Sequence, residues 1–260
     1  MLSRLSSSIA PAASRLLRVS SVQAQYLPFR RFNSSFDFTK DPPIIRINSI
    51  APNFNATTNE GAIDFHDFIT KSNSWVILFS HPADFTPVCT TELNEFNSLL
   101  SQFGEKNAKL IALSTDDVKS HLEWIKDLEE ISKKKFQFPI IDDSDKKISY
   151  VYNMIDQESF ENLPTNTIVQ TIRSVYIIDP SKKIRAIITY PPSVGRNTSE
   201  VLRALEALQT TDKFGVATPV NWQKGQKVII PPTLSDADAK KKFGDFTAVK
   251  PYLRYTNLKE

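Results

Sequence analysis

The stretch Ser74-Trp-Val-Ile-Leu-Phe-Ser80 is an unbroken apolar run of strand length, the pattern of a strand buried on both faces. After a loop, Leu93, Phe96, Leu99, Leu100 and Phe103 recur at helical spacing and predict a helix over 90–103, with Thr90 or Thr91 able to cap it. The alternation repeats. Residues 109–114 read as a strand, and 116–128 as a helix with Val118, Leu122, Ile125 and Leu128 inward and His121 solvent-facing. Short segments follow: a strand over 138–142, a helix over 146–152, a hairpin of 174–178 with 184–189 joined through Asp179-Pro-Ser-Lys, and a closing helix over 200–208.

Strands alternating with helices and ending in an antiparallel hairpin predict an α/β domain with a central mixed sheet flanked by helices, over residues 43–210. A thioredoxin-like fold fits that order. From about Asp212 the texture changes to Pro219, Gly225, Pro231-Pro232 and Gly244 around short apolar runs such as 227–230. Residues 211–260 therefore read as a small, loop-rich C-terminal domain.

The N-terminus has a different character. Residues 1–36 hold five arginines, nine serines and no acid, and Leu5, Ile9, Ala12, Leu16 and Val19 recur at spacings of three and four. That composition and periodicity predict an amphipathic transit peptide that directs the chain to the mitochondrial matrix and is then cleaved, with a cut near Arg31-Phe32-Asn33. The leader also explains the net charge of +3: without its five arginines, 27 basic residues face 29 acidic ones. Nucleic-acid binding has no basic face to rest on. No run approaches the roughly 20 apolar residues of a spanning helix, so no membrane span is expected.

One cysteine, Cys89, cannot close an intramolecular disulfide, and the three histidines His66, His81 and His121 make no zinc spacing with it. No glycine-rich phosphate loop or ligand cluster is present, so no metal, flavin or nucleotide cofactor is expected. Taken alone, Cys89 is either an inert core thiol or a reactive one. Its place in the first turn of the predicted helix favours the second, because exposed N–H groups and the positive end of the helix dipole stabilise a thiolate.

The loop His81-Pro-Ala-Asp-Phe-Thr-Pro-Val-Cys89-Thr-Thr-Glu-Leu93 carries Pro82, Thr86 and Cys89 in a Pro-Xaa-Xaa-Xaa-Thr-Xaa-Xaa-Cys spacing. In the form DFTPVCTTEL it resembles the active-site loop of the peroxiredoxins, and HPADF resembles their one-cysteine subfamily. The likeness extends to Arg173 before SVYIID, to YPPSVGRN at 190–197, to ATPVNW at 217–222 and to YLRYT at 252–256. The resemblance implies a thioredoxin-like peroxidase domain with a C-terminal arm, and a homodimer. It also implies that Cys89 attacks a hydroperoxide to give a sulfenic acid, with Thr86 and Arg173 as catalytic partners. Thr86 hydroxyl and the Cys89 N–H are the expected donors, Arg173 the cation that favours the thiolate and binds peroxide, and Pro87 a wall against water. Supporting positions are Pro82, His81, Glu92 and Arg196, although a helix-start acid and two surface arginines would serve as ordinary explanations of the last two residue types. His81 is either near the pocket or a structural histidine.

With no resolving thiol in the chain, the reductant has to come from outside, as glutathione, thioredoxin or a glutaredoxin-type partner. Two other readings stay open at this stage: a peroxide-triggered redox sensor or holdase chaperone, and the phospholipase activity associated with some one-cysteine peroxiredoxins. For the latter, the glycine elbow is missing from Ser72-Asn73-Ser74-Trp75-Val76, and the expected acid falls near Ser181, although His66 matches the family histidine.

Overall fold

The computed structural model describes residues 37–38, 41–161, 163 and 169–258. The transit-peptide expectation for 1–36 lies outside the described residues.

The apolar run becomes β3 (Trp75–Ser80), buried at every position. It pairs in parallel with β4 (Ala108–Ser114), which pairs in parallel with β5 (Ile140–Asp142). On its other side β3 lies antiparallel to β6 (Arg173–Ile178), the first strand of a hairpin with β7 (Ile184–Tyr190). A second hairpin, β1 (Asn55–Thr58) and β2 (Gly61–Asp64), adds to β5 and completes a mixed seven-stranded sheet in the order β2-β1-β5-β4-β3-β6-β7. The sheet matches the expected fold class, and the β1–β2 hairpin is an addition to it.

Helices cover both faces. The pleat turns Trp75, Ile77 and Phe79 to one side, where they join Leu93, Phe96, Phe103, Trp124, Leu128, Val201 and Leu205 in one core. These come from α2 (Pro87–Ser98), α3 (Leu100–Glu105), α4 (Val118–Ser132) and α7 (Thr198–Phe214). On the other face Tyr176 meets Tyr152 edge-on at 5.3 Å, and Tyr152 meets Phe65 of α1 (Phe65–Thr70) at 6.4 Å. Short helices α5 (Lys147–Val151) and α6 (Gln157–Glu161) occupy the connection to β6.

Three expectations change. The helix over 90–103 begins earlier, at Pro87, and breaks at Leu99 (φ −90°, ψ 1°) into α2 and α3. Its cap position is Thr86, while the Thr90 and Thr91 hydroxyls bond back to the carbonyls of Thr86 and Val88. In α4 the inward face is His121, Trp124 and Leu128, and Leu122 is 47% exposed. His121 is buried because a carboxylate, Asp84, waits for it beneath the helix, so the expected solvent-facing histidine and the inward leucine exchange roles.

The C-terminal residues form a three-stranded sheet, β8 (Val228–Ile229), β10 (Leu253–Thr256) and β9 (Thr247–Lys250), with α8 (Asp236–Phe243). A small core of Ala207, Val216, Trp222 and Val228 supports it. Arg254 of β10, almost fully buried, holds the turn before α8 through the carbonyls of Pro231 (2.8 Å) and Leu234 (2.7 Å).

Candidate active site

Cys89 is the third residue of α2, and its side chain is buried without exposure. Pro87 occupies the first helical position, where its ring fixes φ and its missing N–H costs no bond. It stands exposed, so its place is the start of the helix rather than a buried wall. The first helical N–H to find a backbone partner is that of Thr90, on the Thr86 carbonyl at 3.0 Å. Helix geometry therefore leaves the Val88 and Cys89 N–H groups without an intrahelical acceptor in the first turn that carries the thiol.

Two arginines from distant parts of the chain converge here. Arg173 opens β6, beside β3, whose end leads into the Cys89 loop. Its Nη1 lies 3.4 Å from Cys89 Sγ and 2.8 Å from Glu92 Oε2. Its Nε and Nη2 donate to the Pro192 carbonyl at 2.9 and 2.7 Å, so the fork is fixed from behind. Arg196, at the end of the segment that leaves β7, gives Glu92 three bonds: N to Oε1 at 2.6 Å, Nε to Oε1 at 3.1 Å and Nη2 to Oε2 at 2.6 Å. Its Nη1 reaches the carbonyls of Ser80 (2.7 Å) and Ser174 (3.3 Å), and its guanidinium lies 4.9 Å from the Phe79 ring centroid.

The electrostatics follow from this crowding. Burial would push the Glu92 carboxyl up, but the charge and hydrogen bonds of Arg196, with the charge of Arg173, hold it below its ordinary value. Burial pulls Arg196 down against the opposing pull of Glu92. One anion thus serves two cations and leaves a net positive site facing the sulfur. In isolation, such a cluster would be costly to bury; beside a thiolate it is charge-balanced.

Thr86, the cap residue, directs its hydroxyl proton to the Ala83 carbonyl at 2.8 Å. The expected donor role is therefore replaced: the hydroxyl is spent as a donor inside its own turn, and its lone pairs are left to accept. Pro82 is buried in the same loop. His81 is fully buried, and its Nε2 bonds Asp84 Oδ1 at 3.0 Å rather than the thiol. Burial pulls its imidazole below the ordinary value.

The loop contains a feature that sequence reading missed. Asp84 also accepts from Ser120 Oγ at 2.8 Å and His121 Nδ1 at 2.7 Å, and its own N–H donates to Asp116 Oδ2 at 2.9 Å. His81, Asp84 and Asp116 each place one potential cation ligand within 4.8 Å of the others. Their oxygens are already occupied by these donors and by Ser114 Oγ (2.8 Å on Asp116), and hydrogen bonding accounts for the group without an ion. The helical pattern placed Leu122 inward; an aspartate in a loop of known sequence, with a histidine one position away on the helix, was the available signal for the alternative.

The residues of the lipase reading lie apart from this centre in their bonding: Ser74 Oγ donates to Asn107 Oδ1 at 2.9 Å and His66 Nε2 is 2.7 Å from the Ala51 carbonyl. Two surface clefts, one along Trp75, Asp179 and Asp212 and one along Phe214, Trp222 and Gly225, include none of the residues around Cys89. The thiol itself is closed off from solvent.

A sequence model of the AhpC/TSA family matches residues 47–187, and one of the C-terminal domain of 1-Cys peroxiredoxin matches residues 207–245. The mitochondrial peroxiredoxin PRX1 of Saccharomyces cerevisiae is 55% identical over 220 residues, spanning 84% of this chain and 83% of that protein. Peroxiredoxin-6 of Mus musculus is 47% identical over 218 residues, 79% of this chain and 94% of its own. A solved yeast mitochondrial 1-Cys peroxiredoxin, studied for thiol resolving through glutathione/thioredoxin systems, superposes with a TM-score of 0.74 at 51% identity, covering 83% of this chain and 100% of that one.

Proposed function

This chain belongs to the AhpC/TSA family, in its one-cysteine peroxiredoxin branch, and is a thiol peroxidase; from that premise we propose how its residues divide the work. Cys89 thiolate attacks the terminal oxygen of a hydroperoxide, the O–O bond breaks, and the departing oxygen takes a proton to leave as water or alcohol. Cys89 becomes a sulfenic acid. The observation that carries this assignment is the single Arg173 nitrogen 3.4 Å from the sulfur, held in place by Glu92 and the Pro192 carbonyl.

In this scheme Arg173 stabilises the thiolate and the charge that grows on the leaving oxygen, and the Cys89 N–H adds a second donor. The Thr86 oxygen accepts from the peroxide hydroxyl and aims it. Glu92 and Arg196 are positioning residues that keep the guanidinium of Arg173 pointed at Sγ. Arg suits the task because its fork can bond Pro192, Glu92 and sulfur together, which a lysine cannot.

The second half of the cycle requires an external thiol, since Cys89 is the chain's only cysteine. We place glutathione in this role, regenerated directly or with a thioredoxin or glutaredoxin system. One thiol displaces the sulfenic hydroxyl as water and forms a mixed disulfide; a second thiol releases Cys89 and leaves as oxidised disulfide. Support comes from the yeast relative, whose thiol is resolved through glutathione/thioredoxin systems.

Residues 43–210 form the peroxidase domain and 211–260 the arm in this reading, with the Trp222 core between arm and α7 in its favour. The chain works as a homodimer in the mitochondrial matrix after loss of its leader. For the dimer, β7 ends the sheet order, and beyond Ile184, whose N–H and carbonyl bond Ser49 and Asn48, its outer edge has no neighbouring strand among the described residues; for the compartment, the leader composition and the mitochondrial relative agree.

Trapping tests the assignment. One equivalent of hydrogen peroxide followed by a sulfenic-acid reagent such as dimedone should label Cys89, and glutathione added first should replace that label with a glutathione adduct. Absence of any label on Cys89 at completed peroxide consumption would remove it from the nucleophile's role.

A further inference from the structure

The turn in front of Cys89 carries a conformational cost. Phe85 adopts φ 55°, a left-handed backbone that a side-chain-bearing residue takes at a cost of about 1 kcal/mol or more. The residue is 53% exposed, its ring touching only the edge of the core at Trp124 (6.4 Å between ring centroids), so burial gives little compensation. Flanking residues must therefore hold it. Thr86 does so locally through the Ala83 carbonyl, and Asp84 does so from outside, with its N–H on Asp116 and its carboxylate on His81, Ser120 and His121.

Of these partners His121 is the most committed. Nδ1 lies 2.7 Å from Asp84 Oδ2 and Nε2 lies 3.2 Å from the Ile141 carbonyl. Both are acceptors, so both ring nitrogens must carry protons, and the ring is an imidazolium. His81 differs, with Nε2 on Asp84 and a buried Nδ1 that has no partner among the described residues, which suits a neutral ring. The proton balance agrees. Burial would pull the His121 ring down, but Asp84 raises it above its ordinary value, helped by the charge of Asp116; the bonds from His121 and His81 hold Asp84 well below the usual carboxylate range despite its burial.

We propose that His121 is a positioning residue for the peroxide reaction: braced on β5 through Ile141, it clamps Asp84 and so keeps the Ala83–Thr86 turn, the Thr86 oxygen and the start of α2 assembled around Cys89. The thiol is fully buried when the turn is closed, so the two half-reactions make opposite demands. Reaction with a small peroxide uses the closed turn, whereas entry of a larger thiol to the sulfenic acid requires the turn to open. Weakening the clamp slows the first and spares the second. A merely structural histidine would impair both together.

The inference rests on Cys89 as the peroxide-reactive thiol, and Cys89→Ser, which should abolish the oxidation signal, tests that premise separately. Single-turnover oxidation by hydrogen peroxide and reduction of the preformed sulfenic acid by glutathione are measured on the full chain. His121→Leu should slow oxidation by about tenfold or more, the scale of a lost hydrogen bond to a charged group, without slowing reduction. His121→Asn, which keeps an N–H donor for Asp84, should recover oxidation to within about threefold of wild type. A milder variant, Ser120→Ala, removes one bond from the same carboxylate oxygen and should give a smaller loss, about threefold, with reduction unslowed; it carries the test if His121→Leu does not fold. Wild-type oxidation in His121→Leu, or in Ser120→Ala where the leucine variant is unfolded, would overturn the proposal. Parallel loss of both half-reactions, or a His121→Asn variant as slow as His121→Leu, would overturn it equally.

Discussion

Glu92 and Arg196, 104 residues apart in sequence, are joined by three hydrogen bonds, one of them from the Arg196 backbone N–H at 2.6 Å. This pair closes the segment after β7 onto α2 and makes the carboxylate available to Arg173 as well. The geometry at the thiol thus depends on a carboxylate that never contacts it in the hydrogen-bond pattern.

Replacing Arg173 should damage the first half-reaction most. Arg173→Ala removes the cation 3.4 Å from Sγ and should lower the second-order rate constant for oxidation by peroxide about 100-fold, the effect of losing one preorganised donor at a developing charge. Arg173→Lys should recover little, because a point charge cannot bond Pro192, Glu92 and the sulfur at once. Stopped-flow oxidation of the two variants checks both statements.

Removing the shared anion should cost stability as well as rate. Glu92→Gln leaves two buried guanidinium groups facing a neutral amide, a loss of about 3–5 kcal/mol for a broken buried charge cluster. Its pH dependence has a definite sign. The folded Glu92 carboxyl titrates below its ordinary value of 4.5, so its contribution is present above the unfolded value and fades as pH falls through the folded one. Urea unfolding at pH 6 and again near pH 3 should therefore show the gap between wild type and Glu92→Gln narrowing in acid.

Asp143 should act with the opposite sign. Its carboxylate accepts the N–H groups of Ile148 (2.8 Å) and Ser149 (2.7 Å) at the start of α5, yet burial pushes it up to about 7. Stability from this group is full below the ordinary carboxyl value of 3.8 and is lost as pH rises through about 7. Asp143→Asn should flatten the melting temperature against pH between those limits; an unchanged slope would assign the pH dependence to other groups.

The sequence made the catalytic loop readable because its signals are local. An apolar strand at 75–80, proline and threonine at fixed offsets, and a helix whose first turn holds the cysteine need only short-range chemistry. Arg173 was reachable only through the family likeness, since its position at the thiol comes from antiparallel pairing of β6 with β3 across nearly a hundred residues. The β1–β2 hairpin escaped notice because Asn55-Ala-Thr-Thr-Asn-Glu-Gly61 alternates no apolar residues, and tertiary pairing with β5 supplies what local pattern does not. The inward turn of His121 was invisible to a hydrophobic periodicity that counts leucine as core and histidine as surface. The carboxylate of Asp84, in the loop before α2, and the Ile141 carbonyl of β5 decide which of the two faces in.

The most direct test of the account is steady-state hydrogen peroxide consumption by the leader-free chain and by Cys89→Ser, with glutathione and thioredoxin systems supplied separately. The account predicts many turnovers per chain with a thiol system present and none in the serine variant. One stoichiometric oxidation with every donor, or undiminished turnover in Cys89→Ser, would contradict it.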